Sequence, residues 1–230
     1  MTGTGTGILS LYRSTIGKKV VMALTGFILT AYVFVHMIGN LKVFAGAEKL
    51  NHYAEWLRLD MGYPILASYQ GLWFVRIILL AAVSLHVISA LQLWAAANAG
   101  RSVGYRQKKK SYAVYLGQMM RLGGIAIGFF IVYHLLHLTT GTIHPEFVYG
   151  AVYHNVISGF QNTLVSAFYI AALVALGVHI LHGIWSMFQT LGLNNRLYDA
   201  AWRTVALLVA LAILVGDISI PVAVLAGWLD

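Results

Sequence analysis

Five long apolar runs dominate the chain, at about 20–41, 72–96, 122–141, 163–190 and 204–228. Each is long enough for a helix to cross a hydrocarbon layer of about 30 Å, which takes about 20 residues. Backbone N–H and C=O groups find no water there, so each run must satisfy them internally as a helix. The expected fold is therefore an all-α integral membrane domain of five transmembrane helices in a bundle. With 60% hydrophobic and 10% charged residues among 230, no second, soluble domain is expected.

The charges orient the domain. Arg13, Lys18, Lys19, Arg101, Arg106, Lys108, Lys109, Lys110, Arg121, Arg196 and Arg203 flank one side of a five-span chain. The opposite side carries Lys42, Lys49 and Arg58, offset by Glu48, Glu55 and Asp60. Basic loops stay cytoplasmic, which places the N-terminus in the cytoplasm and the C-terminus outside. The net charge of +8 is thus read as a topology signal rather than a nucleic-acid surface. Residues 1–12 read as a flexible tail, and the basic loop 101–121 as a topology determinant. Between the first two spans, Leu50, Tyr53, Ala54 and Leu57 recur at helical spacing, so 45–60 is expected as an amphipathic helix on the outer membrane surface.

Cysteine is absent, which excludes thiolate-held clusters and thioether-bound haem on this chain. Histidine remains as the metal ligand. Six of the nine histidines fall inside the spans: His36, His86, His134, His137, His179 and His182. Ionisable side chains at that depth are costly and point to function. Counted from the inner end of each span at about 1.5 Å per residue, His36 lies about 25 Å deep, His134 about 20 Å and His137 about 24 Å. His86 and His179 lie about 15–18 Å from the inner end. The histidines thus form two levels, each shared by two helices. Two facing imidazoles at one level suit a six-coordinate haem b, whose macrocycle supplies the other four nitrogens. Depth mildly favours His137 over His134 as the partner of His36, and His179 over His182 as the partner of His86.

Further polar residues sit where quinone or propionate chemistry would need them. On the outer side these are His52, Glu55, His144, Glu146 and Asp217, the last inside the fifth span. On the inner side, Ser14, Lys18, Arg121 and Arg203 are placed for a docking partner, a quinone or haem propionates; Arg76 is placed for the same role near the outer end of the second span. Trp73, Trp94, Trp202 and Trp228 lie near span ends as interfacial belt residues.

The pattern resembles the cytochrome b anchor subunits of type-B succinate:quinone oxidoreductases. The matching segments are Ser14-Thr15-Ile16-Gly17-Lys18-Lys19, Val35-His36-Met37-Ile38-Gly39-Asn40, Leu85-His86, Tyr133-His134-Leu135-Leu136-His137 and His179-Ile180-Leu181-His182-Gly183-Ile184-Trp185-Ser186. The resemblance implies two haem b groups. The outer would be held by His36 and His134, the inner by His86 and His179. His137 and His182 are left to propionate, quinone or packing contacts. It further implies a flavoprotein partner, an iron–sulfur partner on the inner face, and electron delivery to menaquinone across a bacterial cytoplasmic membrane, in a complex open to higher oligomerisation. Glu55, in the loop after His36, falls where similar proteins carry a quinone-associated carboxylate. A fumarate reductase anchor would run the same chemistry in reverse. A proton-coupled transporter with a histidine relay is the alternative from another class, although no internal repeat of the kind such folds show is evident.

Overall fold

A computed structural model describes residues 12–100 and 112–230. The expectations for residues 1–11 and for the core of the basic loop lie outside the described residues. The elements are helix α1 (Thr15–Asn40), a 3₁₀ turn (Leu41–Ala45), α2 (Ala47–Leu59), α3 (Gln70–Ala99), α4 (Tyr112–His134) with a π turn (Leu135–Thr139), α5 (Val152–Gln161), α6 (Thr163–Thr190) and α7 (Asp199–Leu225). No strand occurs among the described residues.

Five segments are long and apolar enough to cross a membrane: Thr15–Ala45, Gln70–Ala99, Gln118–Thr139, Thr163–Thr190 and Asp199–Leu225. They coincide with the five apolar runs. The ends moved by several residues because the caps, not hydropathy, stop the helices. Ser14 Oγ accepts the Gly17 N–H at 2.9 Å and starts α1 earlier than its apolar run. Asn162 Oδ1 accepts from the N–H groups of Leu164 and Val165 and sets the start of α6.

Helix α6 is central. It packs against α7, α1 and α4, while α1 also packs against α3 and α7. Lipid tails are as apolar as leucine, so helices in a membrane associate through close contact of small residues. Ala206 and Ala210 of α7, one turn apart, are buried against Ile180 and Ile184 of α6. Gly216 of α7 seats the buried Met37 of α1, whose Sδ lies 2.5 Å from where a Cβ on Gly216 would stand. The outward faces remain apolar and exposed, as Phe129, Leu80 and Val215 show.

Helix α2 forms close to the expected 45–60, and its apolar face covers protein: Leu50 is buried in a cluster with Val43, Ile157 and Phe160. Tyr53 rests on Gly39, where an added Cβ would come within 3.0 Å of its ring. The partner face comes from α5, a short helix that hydropathy did not resolve inside the loop 142–161; Asn51 Oδ1 accepts from the Tyr153 N–H at its first turn. An amphipathic segment next to a second one buries its apolar stripe against protein before lipid.

Candidate functional site

The intramembrane histidines meet in two pairs. His36 of α1 faces His134 of α4 with ring centres 5.8 Å apart and planes at 79°. His86 of α3 faces His179 of α6 at 6.3 Å and 63°. Two imidazoles joined by an N–H···N bond of about 2.9 Å would have centres only about 5.1 Å apart. Neither pair is hydrogen-bonded internally. Two imidazoles closing opposite positions of one metal, with bonds of about 2.0 Å, would have centres about 6.2 Å apart. The observed separations are longer than the first case and nearer the second.

The helices carrying each pair are not themselves packed partners: α1 with α4, and α3 with α6, are both absent from the close helix pairs. Each pair therefore faces across a gap rather than within a tight helix interface. Gly124 on α4 lies beside His179, whose Cε1 is 3.6 Å from where a Cβ would stand. A Cβ on Gly123, Gly128 or Gly183 would meet nothing within 4 Å, which marks open space along α4 and α6.

Hydrogen bonds fix one ring of each pair from α1. His86 Nδ1 lies 3.1 Å from the Met22 carbonyl, which only accepts, so Nδ1 carries the proton and Nε2 keeps its lone pair. Thr25 Oγ1 is 3.2 Å from the same nitrogen and donates to the Val21 carbonyl at 2.7 Å. His36 Nδ1 lies 3.1 Å from Asn40 Nδ2, which also donates to Asp217 Oδ1 at 3.2 Å. By contrast, His134 Nδ1 and His179 Nδ1 are buried without a partner, as are Ser89 Oγ and Gln92 Oε1 on the helix of His86. Each such orphan costs about 1–3 kcal/mol. Histidines serving as helix glue would not leave those bonds unmade.

These residues fit a haem at each level. Among the described residues no three of His, Asp and Glu converge, so neither pair supplies the three or four side chains that a zinc site takes. A haem, which brings four nitrogens of its own, needs no more than a pair.

His86 also leans on Gly26, where a Cβ would stand 3.3 Å from its Cε1. Gly26→Val is therefore expected to displace the His86 ring and, if each pair holds a haem, to reduce the haem count from two to one. Haem quantitation on the purified variant checks this, and two haems retained would contradict it.

The helix doublets resolve differently. The π turn carries His137 away from His36 into the outer cap, where it is 2% exposed. There it stacks on His144 at 4.7 Å and bonds Tyr169 Oη through Nδ1 at 3.0 Å. His144 is fixed as well, Nε2 donating to the Asn155 carbonyl and Nδ1 accepting from the Glu146 N–H. The depth argument for His137 fails here because a π turn shifts the register by one residue. Tyr169→Phe is expected to cost about 1–3 kcal/mol by orphaning His137 Nδ1 and to leave any haem content unchanged. Thermal melting with a haem count separates those two effects. His182 stands edge-on to Trp185 at 5.9 Å and is not paired with His86.

The remaining sequence-derived residues scatter. His52 and Glu55 lie on the exposed face of α2, away from the histidine pairs. Ser14 caps α1 and Lys18 is half-buried one turn later. Arg76 lies over Trp73 at 5.1 Å and Arg121 over Trp94 at 5.6 Å. Arg203 is bound to Asp199 at 2.7 Å and covers Trp185 at 4.2 Å, in a cluster closed by Asn194. Asp217 alone joins a histidine pair, through Asn40. Sequence reasoning missed the Met22 carbonyl, Thr25, Gly26, Gly124 and Tyr169. Asn40, one turn after His36, carried a legible signal that went unused.

Comparison with protein-family models, with curated proteins and with solved structures gave no match to this chain.

Proposed function

We propose that this chain is a dihaem cytochrome b, the membrane anchor of a succinate:menaquinone oxidoreductase in a bacterial cytoplasmic membrane. The observation that carries the reading is the pairing of His36 with His134 and of His86 with His179, each too far apart for a hydrogen bond and nearer the spacing for one shared metal. The basic flanks support a cytoplasmic N-terminus and a bundle that presents its inner end to the iron–sulfur and flavoprotein partners. The motif resemblance supports those partners and the quinone.

When bound, each haem would supply a one-electron carrier. His36 and His134 would hold the outer group, and His86 and His179 the inner. The Met22 carbonyl orients His86 and keeps its Nε2 free of a proton. Phe130 and Tyr169 pack around His134, at 5.8 and 6.0 Å between ring centres, and exclude water from the outer level. Asp217 is the carboxylate nearest the proposed outer centre along the hydrogen bonds described. The exposed His52 and Glu55 would meet a quinone only at the outer surface.

A dithionite-reduced minus oxidised spectrum of the native complex, with a pyridine haemochrome assay, tests the reading. Two b-type haems per chain are expected. One would make one histidine pair structural. None would overturn the reading and return the histidines to a proton relay in a transporter.

A further inference from the structure

Asn40 stands between a buried carboxylate and a histidine of the outer pair, and its amide can face them only one way at a time. In the structure Nδ2 points at both His36 Nδ1 and Asp217 Oδ1, at 3.1 and 3.2 Å. An amide nitrogen only donates, so with this amide orientation His36 Nδ1 accepts and the imidazole proton sits on Nε2. That form cannot ligate a metal through Nε2. Ligation requires the proton on Nδ1, and Nδ1–H then needs an acceptor. A half-turn of the amide about its Cβ–Cγ bond supplies one, because it exchanges Nδ2 for Oδ1 at nearly the same place. The oxygen then faces Asp217 Oδ1 as well. Two acceptors at that distance repel unless the carboxyl carries a proton and donates it to the amide.

We propose that Asp217 is a positioning residue for the outer haem, holding Asn40 as an acceptor for His36 by standing as a neutral acid whenever His36 ligates iron. This rests on the dihaem reading. The proton balance closes: Nε2 loses one proton, Nδ1 gains it, and the carboxylate takes one more from the medium, so ligation by His36 takes up one proton in all. The elements packed against α7 are α1, α5, α6 and the 3₁₀ turn. Among the titratable groups of those elements, Tyr32 lies against the His36 ring, Lys42 over the Tyr53 ring, Tyr153 Oη donates to the Asp230 carbonyl, and Tyr169 is bonded to His137. His179 belongs to the inner pair. Asn40 is the one side chain hydrogen-bonded to Asp217 among the described residues. The bond also gives α7, which carries no histidine, a direct connection to the outer pair.

The test is redox-difference infrared spectroscopy of the native complex beside its haem count. The proposal expects a protonated-carboxyl band that responds to the outer haem. The band should shift when aspartate is carboxyl-labelled with carbon-13 in the unmutated protein, a readout that no failure to fold can obscure. Asp217→Asn, whose amide donates to Asn40 permanently, should keep two haems and lose the band. Asp217→Leu, which offers no donor, should lower outer haem occupancy. Two haems with no label-sensitive band, or with the band unchanged in Asp217→Asn, would overturn this proposal and leave the dihaem reading standing. A native complex without an outer haem would overturn the dihaem reading and this proposal with it.

Discussion

Replacing His134 with alanine is expected to leave one b-type haem per chain, and replacing its neighbour His137 with alanine is expected to leave two. The contrast follows from the π turn at Leu135–Thr139, which leaves His134 facing His36 and turns His137 towards His144 and Tyr169. On the dihaem reading, the variant would lose one of the two imidazoles that would hold the group, so the effect at that pair should be near complete. His36→Ala should match His134→Ala, and His86→Ala should match His179→Ala with the opposite haem retained. The two groups are distinguished by reduced-minus-oxidised spectra and by potentiometric titration, in which each variant keeps one of two transitions. His137→Ala should instead lower the melting temperature, because its ring fills a buried place against Gly159, Tyr133 and His144. One haem in His137→Ala with two in His134→Ala would reverse the assignment.

The second large effect is expected at Gly71. This residue is buried in the first turn of α3, under the chain that leaves α2, and a Cβ there would collide with the Met61 carbonyl oxygen. The obstacle is backbone, within a turn where the Tyr63 N–H donates to the Asp60 carbonyl, so a rotamer change cannot relieve it. Gly71→Ala should therefore reach or exceed the upper end of the about 1–3 kcal/mol typical of overpacking. For a chain of this size that corresponds to a fall in melting temperature of roughly 6–12 °C. Gly123→Ala, where a Cβ meets nothing within 4 Å, is the control and should melt within about 2 °C of the parent. Similar melting for both variants would contradict the described path of residues 60–71.

The five spans were legible because lipid imposes a single rule, internal satisfaction of the backbone, and hydropathy reports it directly. The two levels of histidines were legible for a related reason: a helix converts residue number into depth at a constant rise. What depth could not decide was rotation. The choice between His134 and His137 turned on a π turn that no hydropathy pattern contains. The partners of the rings were hidden for a different reason. Met22 contributes a carbonyl, which every residue has, and Gly26 and Gly124 contribute the absence of a side chain. Glu55 and His52 looked like outer-face chemistry by position, yet the apolar stripe of α2 turned them to the exposed side. Arg203 looked like an anion ligand until Asp199, four residues earlier, claimed it.

The contact pattern of the helices also ranks how firmly each span is held. Helices α1, α6 and α7 touch one another, so they make a closed three-sided post held by Met37 on Gly216 and by Ala206 and Ala210. Of the other two spans, among the described residues α3 packs broadly on α1, while α4 rests on the post along α6. Each of those two helices brings one histidine to a pair whose other member is already on the post. The well-seated α3 should therefore be protected together with the post, and protease cuts and hydrogen exchange should concentrate on α4, the span with the smallest hold on the rest.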